Sequence, residues 1–341
     1  IEDLPATGAW REGDPVGERR FHVVSPGRRF ALEGGGHLDH VVVAYETWGR
    51  LNAEGSNAVL VCHALTGDSH AAGRSSEAHP GPGWWDPLIG VGRALDTRDC
   101  FVVCANVLGG CQGSTGPASV NPATGKPYGS AFPVVSIRDM VRAQASLADA
   151  LGVGAWAQVV GGSMGGMQAL EWSVMYPRRV RSAVFASTTT EASAQQIAWS
   201  HIGRMAVQSD PRYAGGDYYD AADGDGPHRG LAVARMAAQV TYRSDEVFTQ
   251  RFGRTVLNQL AFSLDPTFDI EGYLDYHGLK LVRRFDANSY VYLNRAMDLH
   301  DLGRGRGGTA RALERVRCPS VVAAVRSDGL YPPHQQRQLH D

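Results

Sequence analysis

Short runs of consecutive apolar, often β-branched residues punctuate the chain at 41–45, 58–62, 101–105, 155–160, 180–187 and 320–325. Several are continuous rather than alternating, the pattern of parallel strands covered on both faces. Between two of them, residues 136–151 carry Met140, Ala143, Leu147 and Leu151 along one side at helical spacing. Alternating strands and helices predict an α/β fold with crossover connections. That rhythm stops after Ser187. From about Thr188 to Leu302 the pattern is mostly helical, broken by a glycine-rich loop at 215–227, and strand-like sequence returns only at Ser320. A helical block between two strands predicts an inserted cap over the strand ends, where α/β sheets bind ligands. The expected organisation is a core formed by 1–187 and 303–341, interrupted by a helical lid at 188–302. Gly303 to Gly308 reads as a flexible connector back to the sheet.

The run Gly161-Gly162-Ser163-Met164-Gly165-Gly166 follows one predicted strand directly. After it, Met167, Leu170 and Val174 recur at helical spacing until Tyr176-Pro177 ends the run. A G-x-S-x-G sequence between a strand and a helix is the setting of a nucleophile elbow, which holds a serine on a strained turn at the top of a sheet. Glycines at 161 and 165 remove side chains that would collide there, and the helix N-terminus faces developing negative charge. Ser163 is the candidate nucleophile.

A serine needs a base, an acid to orient that base and donors for an oxyanion. One donor is the N–H of the residue after the nucleophile, Met164. The other comes from the loop after an earlier strand, where His63-Ala64-Leu65-Thr66-Gly67 follows the run 58–62 and makes Leu65 the second donor. Asp328, just past the last strand-like run, holds the place of the acid in chain order. The histidine should follow it. Only His334 and His340 remain, and Pro332-Pro333 predicts a helix that carries both away from a catalytic loop. The base is therefore expected beyond residue 341.

An apolar content of 43% supports a sizeable core, and no apolar run approaches the roughly 20 residues that span a bilayer. The formal net charge of −2, without a Lys/Arg cluster, gives no footing to nucleic-acid or membrane-surface binding. Five cysteines, with Cys62, Cys100 and Cys104 in or beside strand-like runs and no C-x-x-C pair, read as reduced core residues. No leader pattern opens the chain, so a cytoplasmic enzyme is expected. Three weaker patterns fail on spacing. Gly125-Lys126 lacks the flanks of a P-loop, Asp220, Asp223 and Asp225 miss the EF-hand, and His63 with His70 lack a third metal ligand nearby. No metal site is expected.

The chain resembles the homoserine O-acetyltransferases of the α/β-hydrolase superfamily. The matching blocks include Tyr45-Glu46-Thr47-Trp48-Gly49, His63 to His70, Pro82-Gly83-Trp84-Trp85-Asp86, Asn106 to Cys111 and Gly161 to Trp172. The C-terminal half adds Gly215 to Tyr219, Thr241-Tyr242-Arg243-Ser244, Arg284 to Tyr290 and Ala296-Met297-Asp298. The resemblance implies that Ser163 takes an acetyl group from acetyl-CoA, a co-substrate rather than a bound cofactor, and passes it to the hydroxyl of L-homoserine in methionine synthesis. It also implies Arg235 as the clamp for the acceptor's carboxylate, with Tyr242 on the same side of the helix, and a homodimer formed through the lid. Relatives place their catalytic histidine in a Gly-His-Asp loop after a further strand. Plain ester hydrolysis, another acceptor or acyl group such as succinyl, and a triad-deficient binding protein are the alternatives.

Overall fold

The computed structural model describes residues 2–341 except 258, 261, 263, 266 and 267. Its centre is a seven-stranded sheet in the order β1-β4-β6-β5-β7-β8-β9. These strands are β1 (Arg20–Val24), β4 (Val41–Trp48), β5 (Ala58–Cys62), β6 (Phe101–Ala105), β7 (Gln158–Gly162), β8 (Ala183–Ala186) and β9 (Ser320–Ala323). A separate hairpin pairs β2 (Phe30–Ala31) with β3 (His37–Leu38). From β6 to β9 all neighbours are parallel, and β5 and β6 are buried at every position. Continuous apolar sequence marks these two inner strands because helices cover both faces.

Two strands depart from the sequence reading. β4 runs antiparallel to β6, and it pairs on its other side with β1, which the apolar pattern did not reveal. β1 reads Arg-Phe-His-Val-Val and buries only Val24, so it carries no core-facing stripe. At the opposite edge β9 is mostly exposed, with Val321 at 59%. Strand β7 begins at Gln158, three residues later than its apolar run, because Trp156 makes only an isolated bridge to Val180 before the ladder starts.

α1 (Ile137–Ala150) starts on a capping box in which Ser136 and Asp139 exchange hydrogen bonds, satisfying the first-turn N–H groups. It packs on α2 (Met164–Met175), the helix that leaves the elbow. A line of buried amides joins them: Trp172 Nε1 donates to Gln144 Oε1 at 2.8 Å, and Gln144 Nε2 to Gln168 Oε1 at 2.7 Å. Gln168 Nε2 then donates to the His63 carbonyl at 3.1 Å. The elbow helix is thereby tied to the loop after β5. Each of these groups would be costly to bury unpaired.

Between β8 and β9 the chain forms α3 (Ala194–Gln208), α4 (His228–Thr241), α5 (Asp245–Arg251), α6 (Asp269–Val282), α7 (Ala287–Asp298) and α8 (Thr309–Leu313). α4 packs against both α3 and α6, and α3 against α7. The N-cap of α7 is Asp286, fully buried, whose carboxylate accepts from Thr7 Oγ1, Tyr218 Oη, Tyr219 Oη and Ser289 N. The last helix is α9 (Pro333–His340). Among the described residues, no helix is long and apolar enough to cross a membrane.

Candidate active site

Ser163 sits between β7 and α2 with φ at +55° and ψ at −123°, a conformation rare for a residue with a side chain. Its amide donates back to the carbonyls of Ala186 and Ser187, which fixes the turn against the end of β8. Space here exists only because of glycine. A Cβ on Gly165 would lie 2.1 Å from the Cys62 carbonyl oxygen, and one on Gly161 2.3 Å from the Gly165 carbonyl. The predicted elbow is present at the predicted residues.

Leu65 lines the same pocket as Ser163, and Met164 opens α2. Among the described residues, neither of their N–H groups is spent on another hydrogen bond. His63 does not compete for Ser163: it is fully buried, its Nε2 accepts from Val107 N at 3.0 Å, and its Nδ1 meets the Ala64 carbonyl at 2.7 Å. Burial pushes its pKa down.

Asp328 lies in the loop after β9, its Oδ1 accepting from the amides of Leu330 and Tyr331, both at 2.9 Å. The cap clamps this loop from two helices. Gln196 of α3 donates to the Leu330 carbonyl, and the Gly329 amide donates to the Thr241 carbonyl of α4. Tyr331 follows, buried at 2% exposure, and lines the same pocket as Ser163. Burial drives its pKa up, and the nearby Ser163 side chain opposes that shift. The sequence reading did not single out Tyr331. None of the histidines among the described residues lines the Ser163 pocket; His334 and His340 are exposed on α9.

The pocket's roof comes from α3, α4 and α7, through Trp199, Ala234, Ala238, Tyr242, Tyr290 and Asn294. Tyr242 is in its wall. Arg235 is not: its guanidinium stands 5.6 Å from the centre of the Tyr242 ring. It is half-buried and has no carboxylate partner among the described residues. Such a cation seeks an anion. At the pocket's end Asp298 pairs with Arg204 at 2.6 Å, both nearly buried.

A second group was invisible in the sequence. Glu46, His70 and His79 come together from three segments, all buried, with ligand-type atoms within 4.8 Å of one another. This corrects the reading of His70 as lacking nearby partners. The two rings stack at 3.8 Å, and His70 Nδ1 lies 2.9 Å from Glu46 Oε2. Burial alone would push the His70 pKa down, but the Glu46 carboxylate outweighs it and the net shift is upward. His79 goes the other way, down to about 4, through burial. Arg19 Nη2 lies 3.3 Å from His79 Nδ1, so the cluster already holds a cation of its own. It buttresses the loop that carries Leu65.

A sequence profile of the alpha/beta hydrolase fold matches residues 57–341. The homoserine O-acetyltransferase of Thermobifida fusca is 54% identical over 338 residues, covering 99% of this chain and 88% of that protein. Among solved structures, the homoserine O-acetyltransferase from Bacillus anthracis superposes with a TM-score of 0.83 at 29% identity, over 94% of this chain and 86% of that one. Esterase E22 reaches the same TM-score of 0.83 at 30% identity, over 94% and 89%. With a seryl elbow beneath a helical roof and identity of this extent, the chain belongs to the homoserine O-acetyltransferase family of the alpha/beta-hydrolase fold.

Proposed function

We propose that this enzyme transfers an acetyl group from acetyl-CoA to the side-chain hydroxyl of L-homoserine, a step in methionine biosynthesis, through an acetyl-Ser163 intermediate. The observation that carries this is Ser163 itself, held at positive φ beneath the roof in a chain so close to a homoserine O-acetyltransferase. The Ser163 hydroxyl attacks the thioester carbonyl, and its proton passes to an imidazole oriented by Asp328. The N–H groups of Leu65 and Met164 hold the oxyanion, each donor contributing on the order of 3 kcal/mol. The imidazole returns that proton to the departing sulfur, and CoA leaves as the thiol. Homoserine's hydroxyl then attacks the acetyl-serine by the reverse sequence. Arg235, beside Tyr242, clamps the acceptor's carboxylate. Acyl and proton transfers are the only steps, so the route calls for no bound cofactor.

A transferase of this kind must favour one alcohol over abundant water, and the roof serves that by excluding solvent and orienting the acceptor. Ile202 and Met205 on α3 with Val233 and Val240 on α4 are 45–51% exposed, and they support a homodimer formed through these helices. A cytoplasmic location fits a biosynthetic enzyme of this family.

Incubation with acetyl-CoA alone should add one acetyl mass at Ser163, and Ser163→Ala should lose it while keeping the fold. Equal labelling of the alanine variant would remove Ser163 from the mechanism. The likeness to esterase E22 favours ester hydrolysis as the second reading. Release of CoA measured with and without homoserine separates the two, since a hydrolase does not wait for the acceptor.

A further inference from the structure

The loop that gives Leu65 to the Ser163 pocket gives its next residues, Thr66, Gly67 and Asp68, to a second and wider cleft. This cleft encloses about 1400 Å³, counting its open side. Four cations converge on it: Arg19 from the segment entering β1, and Lys280, Arg283 and Arg284 from the end of α6. Asp68 is the one carboxylate among its lining residues. On a chain whose net charge is −2, this is a strong local reversal of sign.

The four cations divide into two kinds. Arg19 and Arg284 are held inward: Arg19 Nη2 donates to Gln112 Oε1 at 2.9 Å, and Arg284 Nη1 donates to the Thr66 carbonyl at 2.7 Å. Lys280 and Arg283 are exposed and make no ion pair among the described residues. They stand three apart on one helix, where like charges repel each other. The negative end of the helix dipole explains a cation in the last turn. It does not explain Arg19, brought to the same space from the segment entering β1, nor the ring of Tyr276, 60% exposed, on the same rim. An anion with several charges satisfies all of them at once.

We propose that this cleft binds the phosphate groups of the acyl donor, with Lys280 and Arg283 as the free contacts and Arg284 tying the donor's place to the oxyanion loop. The inference rests on acetyl-CoA as the donor. The thioester must reach Ser163 past Leu65, while the charged end of the same molecule stays outside the apolar pocket. One loop borders both spaces, so one extended molecule occupies both.

The test is titration calorimetry of the full chain with CoA and with pantetheine, which lacks the nucleotide phosphates. Lys280→Glu with Arg283→Glu should weaken CoA at least about tenfold and leave pantetheine unchanged, whereas Lys280→Arg with Arg283→Lys should keep CoA affinity within about threefold. CoA affinity should also fall with added salt more steeply in the wild type than in the charge-reversed variant. Unchanged CoA affinity after charge reversal overturns the proposal, as does an equal loss for CoA and pantetheine. A wild type that binds CoA through Lys280 and Arg283 yet leaves Ser163 unacetylated by acetyl-CoA overturns the donor reading and keeps the cleft.

Discussion

The floor and the roof of the Ser163 pocket are built by different means. The floor is backbone: a serine at positive φ, two glycines that admit no Cβ, and the amides of Leu65 and Met164, unpaired among the described residues, just past the ends of β5 and β7. The roof is side chains, Trp199, Tyr242, Tyr290 and Asn294, projected from helices that pack mainly on one another. Backbone geometry cannot be exchanged piecemeal, whereas side chains on a helical surface can. The contrast accounts for an esterase and an acetyltransferase sharing this frame at a TM-score of 0.83. On the mechanism proposed above, the floor supplies the acyl chemistry and the roof chooses what receives the acyl group.

The sharpest way to break that contrast is Gly165→Ala. One methyl group would have to occupy space 2.1 Å from a carbonyl oxygen of β5, so the elbow and the strand must part. We expect a loss above about 4 kcal/mol, seen as a collapsed urea midpoint or insoluble protein. A stable, active alanine variant would mean that the floor is as plastic as the roof. The roof should answer differently. Arg235→Lys keeps the charge but loses the paired donors that grip a carboxylate, and should lower the specificity constant for homoserine at least about tenfold. Acetylation of Ser163 by acetyl-CoA should proceed at its former rate. A slowed acetylation with normal homoserine kinetics would move Arg235 from acceptor recognition to the chemistry.

The smallest expected effect lies on the seam between the two. His300, at the end of α7, is buried and joins the Thr189 carbonyl beyond β8 at 3.2 Å. Burial lowers its pKa to about 4. The unfolded chain takes up this proton near pH 6.5 and the folded one only near 4, so its contribution to stability is lost as pH falls below about 6.5. Between about pH 7 and pH 6 the wild type should lose roughly 0.7 kcal/mol more than His300→Gln, read from urea midpoints at each pH. Parallel pH profiles would show that the seam takes up its proton without opening.

What was legible in the sequence follows the same division. Strands β5 and β6 match their apolar runs to the residue, because burial on both faces leaves no polar position to blur the ends. The helix α1 was legible through its stripe of Met140, Ala143 and Leu147, while its Ser136 cap was not read. β1 was not, since its five residues bury one apolar side chain. Ser163, Leu65, Met164 and Asp328 fall where chain order put them, on turns and strand ends of the sheet. The roof was opaque. Tyr290 and Asn294 lie four apart on α7 and Trp199 lies on α3, and nothing in their spacing tells a pocket wall from a core face. Glu46, His70 and His79 stayed hidden because β4 and two loops bring them together, without any short spacing to mark them.

The carboxylate of Asp286 ties Thr7 to a residue 279 positions later, and with it the start of α7, the helix whose Tyr290 lines the pocket. Contacts of such long span are made late, since the whole intervening chain must first be brought round. On a chain synthesised from its first residue, the elbow can form while the Asp286 knot still lacks its central carboxylate. Were the elbow to form in that interval, Ser163 would stand on its turn and open to water. A roof that sets last makes selectivity for the acceptor the final property acquired, and anything that loosens the first ten residues should return the molecule to that earlier, less discriminating stage.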